Sequence, residues 1–300
     1  MGEPTLRQLE YFAAVAASES VSAAARECGV SQAAVSLAVA QLERALDTAL
    51  VVRRPGHGIA LTEEGRAIGQ QARRICDDVA ELPTLGRTSE ELTGRLVVGI
   101  FRANITYIAP DLIEWFHRRH PQVRLEIVEG TATQLQQSAL AGHVHVCLVS
   151  HVQRMPGLDF EPLVDRYRRV VVSTEHPLAA LPRVSYRDLA QHAGALLDLE
   201  PALERALAEF ARNGEVPDVR WKLTDVASIY ELVERGIAYS LLLEPGLPRP
   251  ADAPLLWLPL AHEEPSNPLV AVWPAGRPPS RLVEELLTCL RTKWAPSPAG

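Results

Sequence analysis

Along the first 46 residues the apolar positions recur at helical spacing. Leu6, Leu9, Phe12 and Ala16 give a first helix one apolar stripe, and Thr5 with Gln8 forms a capping box at its start. Ala23, Ala24 and Ala25 are small enough to let a second, short helix sit close against a neighbour. Gly29 permits the left-handed backbone that ends it, because glycine has no Cβ to clash. Ser31 then offers a side-chain oxygen to the free amides of a third helix. In that helix Val35, Val39, Leu42 and Leu46 recur at spacings of four, three and four, so one face is buried. Gln32, Ala33, Ser36 and Leu37 fall on the other side of its N-terminal half. Helix, glycine turn, and second helix with small polar residues forward is the layout of a helix-turn-helix that enters a DNA major groove.

The pattern then changes period. Residues 49–54 read as a strand, Pro55 to Gly58 as a turn and Ile59 to Leu61 as the return strand. This wing carries Arg53, Arg54 and His57 near its tip, suited to phosphates or the minor groove. Next, Ile68, Ala72, Ile75, Val79 and Leu82 step four, three, four and three. That is a heptad seam, started by acidic residues at 63 and 64 and expected to stop at Pro83. Thr84 to Thr93 reads as a hinge. From Arg95 strands and helices alternate, which predicts mostly parallel α/β sheets, ending in a helix over 280–294. Crossings near 162 and 267 divide this part into two lobes.

Ordered together, Ala24, Ala25, Val30, Ser31, Gln32, Ala34, Val35, Ser36, Leu42 and Glu43, then Leu61, Thr62, Glu63 and Gly65, resemble the winged helix-turn-helix of the LysR-type transcriptional regulators. Residues 233–243 are similar to a later segment of the same family, with Ala238 in place of a glycine. The resemblance implies an α/β protein of three parts. These are a winged helix-turn-helix over 1–62, a linker helix and hinge over 63–93, and an effector domain over 94–300. The last resembles a periplasmic binding protein, with one lobe from about 94–161 and 268–300 and the other from about 162–267. It further implies binding of promoter or operator double-stranded DNA and of a small-molecule effector between the lobes. The linker seam would pair antiparallel between subunits of a homodimer or homotetramer, and RNA polymerase would be the partner at the promoter.

Composition refines this picture. The net charge of −7 excludes a globally basic nucleic-acid coat and leaves DNA binding to a local surface. Residues 1–62 hold five arginines against six acidic residues, and Leu37 stands where many relatives carry Arg or Lys, so modest non-specific binding is expected. No early apolar run of secretory length occurs, and no stretch of about 18 apolar residues could span a bilayer, so a cytoplasmic protein without membrane contact is expected. Cys28, Cys76, Cys147 and Cys289 are scattered without a C-x-x-C pair and read as small buried side chains. His143, His145 and His151 lie close in sequence, but no carboxylate or cysteine cluster completes a metal set, and His145 takes the place of a family Asp. There is no G-x-S-x-G, P-loop or G-x-G-x-x-G, so no catalytic residues and no cofactor are expected.

The effector should lie at strand ends facing helix N-termini, where amides hold anions. The first strand-to-helix turn supplies Arg102, Ala103, Asn104 and Thr106, with Arg102 suited to a carboxylate. Many relatives place a ligand-binding Ser at the position of Ala103, and Thr131 matches another family pocket position. Ser150 and His151 end the third strand; Pro201, Thr224 and Asp225 come from the second lobe. As a set these residues favour a small polar or anionic ligand.

Overall fold

The computed structural model describes residues 3–54, 58–85, 92–244, 254–262, 265–276 and 278–294. The head is built from α1 (Leu6–Ser18), α2 (Val21–Glu27), α3 (Gln32–Leu46) and the hairpin β1 (Val51–Arg54) and β2 (Gly58–Leu61). Phe12, Val15, Ala24, Val35, Leu42 and Leu50 are buried together, so the stripes read from spacing meet in one core. Thr5 and Gln8 do form the capping box. Gly29 has φ of +66° with open space around it, so backbone freedom and not crowding requires glycine there.

Two further motif residues have structural work. Glu43 on α3 accepts from the amides of Leu50 (2.8 Å) and Val51 (3.2 Å), tying the third helix to the wing. Thr62 donates to the Ala49 carbonyl at 2.8 Å and accepts from the Gly65 amide at 2.8 Å. This opens α4 (Glu63–Leu85), which runs past Pro83 instead of ending there, since a proline removes one helical hydrogen bond without forbidding the next turn.

α4 lies against both neighbours. Gly69 faces Ala16 and Phe12 of α1, and the Arg73 guanidinium donates to the Ala13 carbonyl at 3.5 Å. On the other side Arg74 donates to the Leu140 carbonyl at 3.4 Å, and His145 sits 3.4 Å from Asp77. Ala72 is 1% exposed and Ile68 packs on the head core. The N-terminal half of the seam is therefore covered by its own chain. Ile75 and Val79 are half-buried, and Leu82 is 59% exposed.

The first lobe holds β3 (Gly94–Phe101), α5 (Ile105–Arg119), β4 (Val123–Gly130), α6 (Ala132–Leu140), β5 (Val146–Ser150), β6 (Leu158–Val164), β12 (Leu269–Pro274) and α10 (Arg281–Trp294). Its strands run in the order β4-β3-β5-β12-β6. β6 is absent from the sequence reading and keeps the chain in this lobe to Val164, past the expected boundary at 161. The second lobe holds β7 (Arg168–Ser173), α7 (Tyr186–Leu189), β8 (Ala193–Leu197), α8 (Ala202–Arg212), β9 (Asp218–Leu223), α9 (Val226–Glu234), β10 (Ser240–Leu243) and β11 (Leu255–Pro259).

The sheets are mixed, not mostly parallel. β4, β3 and β5 are parallel, but β12 runs antiparallel to β5 and β6. β7 is antiparallel to both β10 and β11. A chain that leaves one lobe and returns must bring strands back in the opposite sense. Val97, Val149 and Val270 of the first lobe share an apolar cluster with Val171, Leu197 and Ile229 of the second, so the lobes are packed together behind the cleft.

The head-to-linker junction gives a direct test. A Cβ on Gly65 would overlap the Leu50 carbonyl oxygen, which is backbone and tied to Thr62. Gly65→Ala is expected to destabilise the head by about 1–3 kcal/mol, read as a lower denaturation midpoint. An unchanged midpoint would show that the Leu50 carbonyl can retreat.

Candidate functional site

Two surfaces are candidates for function. The first is the outer face of α3. Ser31 caps this helix, its hydroxyl accepting from the Ala34 amide at 3.2 Å. Gln32, Ala33, Ser36 and Leu37 are exposed, with Leu37 at 57%, whereas Val35, Ala38 and Val39 are buried against the head core. The polar and apolar halves of one turn thus point in opposite directions, and a helix end with free side chains stands out from the domain. Arg53 and Arg54 lie on β1, paired with Ile59 and Gly58 of β2; His57 lies outside the described residues.

The second surface is the cleft between the lobes, a cavity of about 80 Å³. Ala103, Asn104, Ser150 and Pro201 of the expected set line it. The others do not. Arg102 lies in the 3-10 turn after β3, pairs with Glu129 at 2.9 Å with both side chains almost half exposed, and does not line the cavity. Thr106 is exposed on α5. Thr131 is spent on capping α6, where it accepts from the Gln134 amide. His151 packs edge-on to Phe160, and Arg154 approaches it at 3.3 Å. Thr224 is exposed, and Asp225 caps α9, accepting from Ser228. Hydrogen bonds from Ser228 hold the Asp225 carboxyl below its usual range. At Thr131 and Asp225 the side-chain oxygens are thus engaged in capping their own helices.

In their place stands a residue that spacing did not reveal. Arg166 is 3% exposed and lines the cleft, donating to the Asn104 side-chain oxygen at 2.8 Å and to the Ser150 hydroxyl at 2.9 Å. Burial pushes its guanidinium down to about 10, with no carboxylate to offset the cost. In the sequence it belongs to the charged run Asp165-Arg166-Tyr167-Arg168-Arg169 near the expected crossing, and no periodicity sets it apart there. Arg168, Arg205 and Glu200 also line the cavity. The hydroxyls of Tyr107 on α5 and Tyr230 on α9 hydrogen-bond across it from opposite lobes. Buried Gln136 braces the rim: it donates to the Gln153 carbonyl at 2.8 Å and accepts from the Met155 amide at 2.9 Å.

The histidines are occupied structurally. His145 accepts from the Val97 amide at 2.9 Å and faces Asp77 with its other nitrogen. Among the described residues no group of three or more His, Cys, Asp and Glu side chains is placed to hold a metal.

Two family models match the chain. Residues 6–66 match the bacterial regulatory helix-turn-helix protein of the lysR family, and residues 89–295 match the LysR substrate binding domain. The chain belongs to the LysR family of transcriptional regulators. It is a DNA-binding regulator whose second domain takes a small-molecule effector between two α/β lobes.

Similar proteins span the same architecture. A hydrogen peroxide-inducible genes activator of Pectobacterium carotovorum is 25% identical over 289 residues, covering 95% of each chain. The Hca operon transcriptional activator HcaR of Escherichia coli is 26% identical over 278 residues, covering 90% of this chain and 92% of HcaR. Among solved structures, a full-length OxyR variant from Pseudomonas aeruginosa superposes with a TM-score of 0.75 at 23% identity, covering 98% of this chain and all of that one. CbnR complexed with its target DNA gives 0.53 at 22% identity, covering 95% of this chain and 99% of CbnR. The low identities carry the fold and leave this regulator's own site to its own residues.

The thiols of this LysR-type regulator are not activated. Burial pushes Cys76 up to about 11 and Cys147 and Cys289 up to about 12, and it raises Cys28 as well. A raised pKa means the thiolate forms only as pH climbs toward that value. At Cys76 the thiolate fraction near neutral pH falls roughly a hundredfold below an ordinary thiol. Iodoacetamide should therefore label the native protein at neutral pH far more slowly than the unfolded chain, and faster as pH is raised. Rapid native labelling at any of the four cysteines would contradict this.

Proposed function

We propose that this regulator reads an operator with residues 31–37 of α3 in the major groove, while Arg53 and Arg54 of the wing hold the flanking phosphates. The carrying observation is the outward set Gln32, Ala33, Ser36 and Leu37 set back to back with buried Val35 and Val39. The protein acts in the cytoplasm as a homo-oligomer, a homodimer or homotetramer, with RNA polymerase as its promoter partner, and it regulates transcription without catalysing a reaction. A two-fold dimer requires a palindromic site with half-sites about one helical turn, or a multiple of it, apart. The effector is a small anion, supported by the arginine-lined cleft. The peroxide response in the Pectobacterium relative's name is not carried over, because all four thiols here are held protonated.

Gel-shift and footprinting test the DNA reading. Gln32→Ala is expected to relax the preference at one base pair, a loss of about 1–3 kcal/mol in discrimination. Arg53→Ala should instead weaken all DNA alike and flatten the salt dependence. A footprint unchanged with both residues removed would refute the assignment.

The oligomer is proposed to form along the part of α4 that its own chain leaves open, Ile75, Val79 and Leu82. Replacing Ile75 and Val79 with Asp would bury unpaired charges there and should give monomers in sedimentation. A double variant that still sediments as a dimer sinks this role for the helix.

A further inference from the structure

Arg166 is a buried cation with no anionic partner among the described residues. Its side-chain bonds given above go to two neutral groups, the Asn104 amide oxygen and the Ser150 hydroxyl. A guanidinium has five N–H donors, and these contacts leave the Nε edge unused. Arg166 Nε and Asn104 Nδ2 are both buried without a hydrogen-bond partner among the described residues. Arg166 and Asn104, which carry these two orphan donors, both line the same small cavity. An unmet buried donor costs free energy, and an uncompensated buried charge costs more, so the arrangement calls for acceptor oxygens carrying negative charge. Burial that lowers the guanidinium pKa points the same way.

The remainder of the cavity narrows the class. Beside the polar Arg168, Arg205, Gln153 and Asn267, its walls include the apolar Phe101, Leu197, Val226 and Leu242, which suit a hydrocarbon part and not a bare inorganic oxyanion. Glu200 also lines the cavity, so a second carboxylate seated against that side chain would meet a like charge. At about 10–15 Å³ per water-sized position, the cavity of about 80 Å³ holds a ligand of roughly five to eight non-hydrogen atoms.

We propose that Arg166 and Asn104 anchor the carboxylate of a small aliphatic monocarboxylic acid, whose hydrocarbon part lies against the apolar wall of the second lobe. The carboxylate would take the Nε edge of Arg166 side-on and the Asn104 amide N–H, satisfying both orphan donors in one step. This inference rests on the reading of the cleft as the effector site.

Thermal denaturation of the full-length protein tests it. Acetate, propionate, isobutyrate and isovalerate are compared at millimolar concentration with isobutyramide, sulfate, phosphate and chloride at matched ionic strength. At least one acid is expected to raise Tm saturably, as a ligand that binds only the folded state must, while the amide and the inorganic anions do not. Arg166→Gln should weaken that acid at least tenfold. Asn104→Asp supplies a carboxylate from within: it should raise Tm without ligand and abolish the response to the acid. The second variant keeps the test decisive should Arg166→Gln fail to fold.

The proposal is overturned if no acid stabilises the protein, if isobutyramide or sulfate does so equally, or if Asn104→Asp responds to the acid as before. Ala202→Trp, which fills the cleft from the second lobe, separates the two levels of the argument. A neutral compound whose stabilisation disappears in Ala202→Trp leaves the cleft reading standing and overturns the monocarboxylate. An acid whose effect survives Ala202→Trp overturns both.

Discussion

The effector domain turns on what happens where its two crossing segments meet. The Asn267 amide donates to the Arg166 carbonyl at 2.8 Å, and the Arg166 side chain reaches back to Asn104 and Ser150 of the first lobe. Asn267 in turn accepts from the Val152 amide at 3.3 Å, fixing the turn after β5. The crossing thus holds the rim of the cleft by hydrogen bonds, while the shared apolar cluster behind it holds the lobes in place. The rim bonds depend on keeping a charged group in a buried site, which is costly unless an anion arrives. The most conspicuous unfavourable feature of the domain therefore sits where a ligand would relieve it.

Contacts run without interruption from that cleft to the DNA-reading face. Gln136 of α6 braces the cleft rim, and the end of α6 at Leu140 meets Arg74 of α4. Asp77 of α4 faces His145 on the approach to β5, and Arg73 meets the Ala13 carbonyl of α1. α1 shares its core with α3. A ligand acts on transcription only through the difference in its affinity for two arrangements of these parts, typically about 1–3 kcal/mol of coupling. α4 touches both the head and the first lobe, which places it to carry such a difference to the DNA-binding domain.

The family motif in the head has a local physical meaning. Gly29 supplies a left-handed backbone; Ser31 and Thr62 cap α3 and brace the start of α4; Glu43 holds two wing amides; Gly65 leaves room for a carbonyl. Together they fix the angle at which the exposed Gln32, Ser36 and Leu37 are presented.

Features that depend on neighbours a few residues apart were largely legible in the sequence, although α4 runs past the stop expected at Pro83. The capping box at Thr5, the glycine turn, the amphipathic faces of α3 and α4 and most strands of the two lobes follow from spacing and local hydrogen bonding. β6 escaped because its residues are mostly half-buried or exposed, without the apolar run that marks a central strand. The effector residues were only partly legible for a related reason. Arg102, Thr131 and Asp225 stand at helix starts, where spacing places them near a cleft, but whether such a side chain faces the ligand or serves its own helix is settled by its hydrogen bonds. Arg166 shows the converse: in sequence it is one charge in a charged loop, and only the meeting of Asn104, Ser150 and the crossing segment, 62 and 16 residues away from it along the chain, buries it. Burial of a charge is a property of the assembled surfaces around it, so tertiary structure alone could decide that this arginine, and not Arg102, faces the cavity.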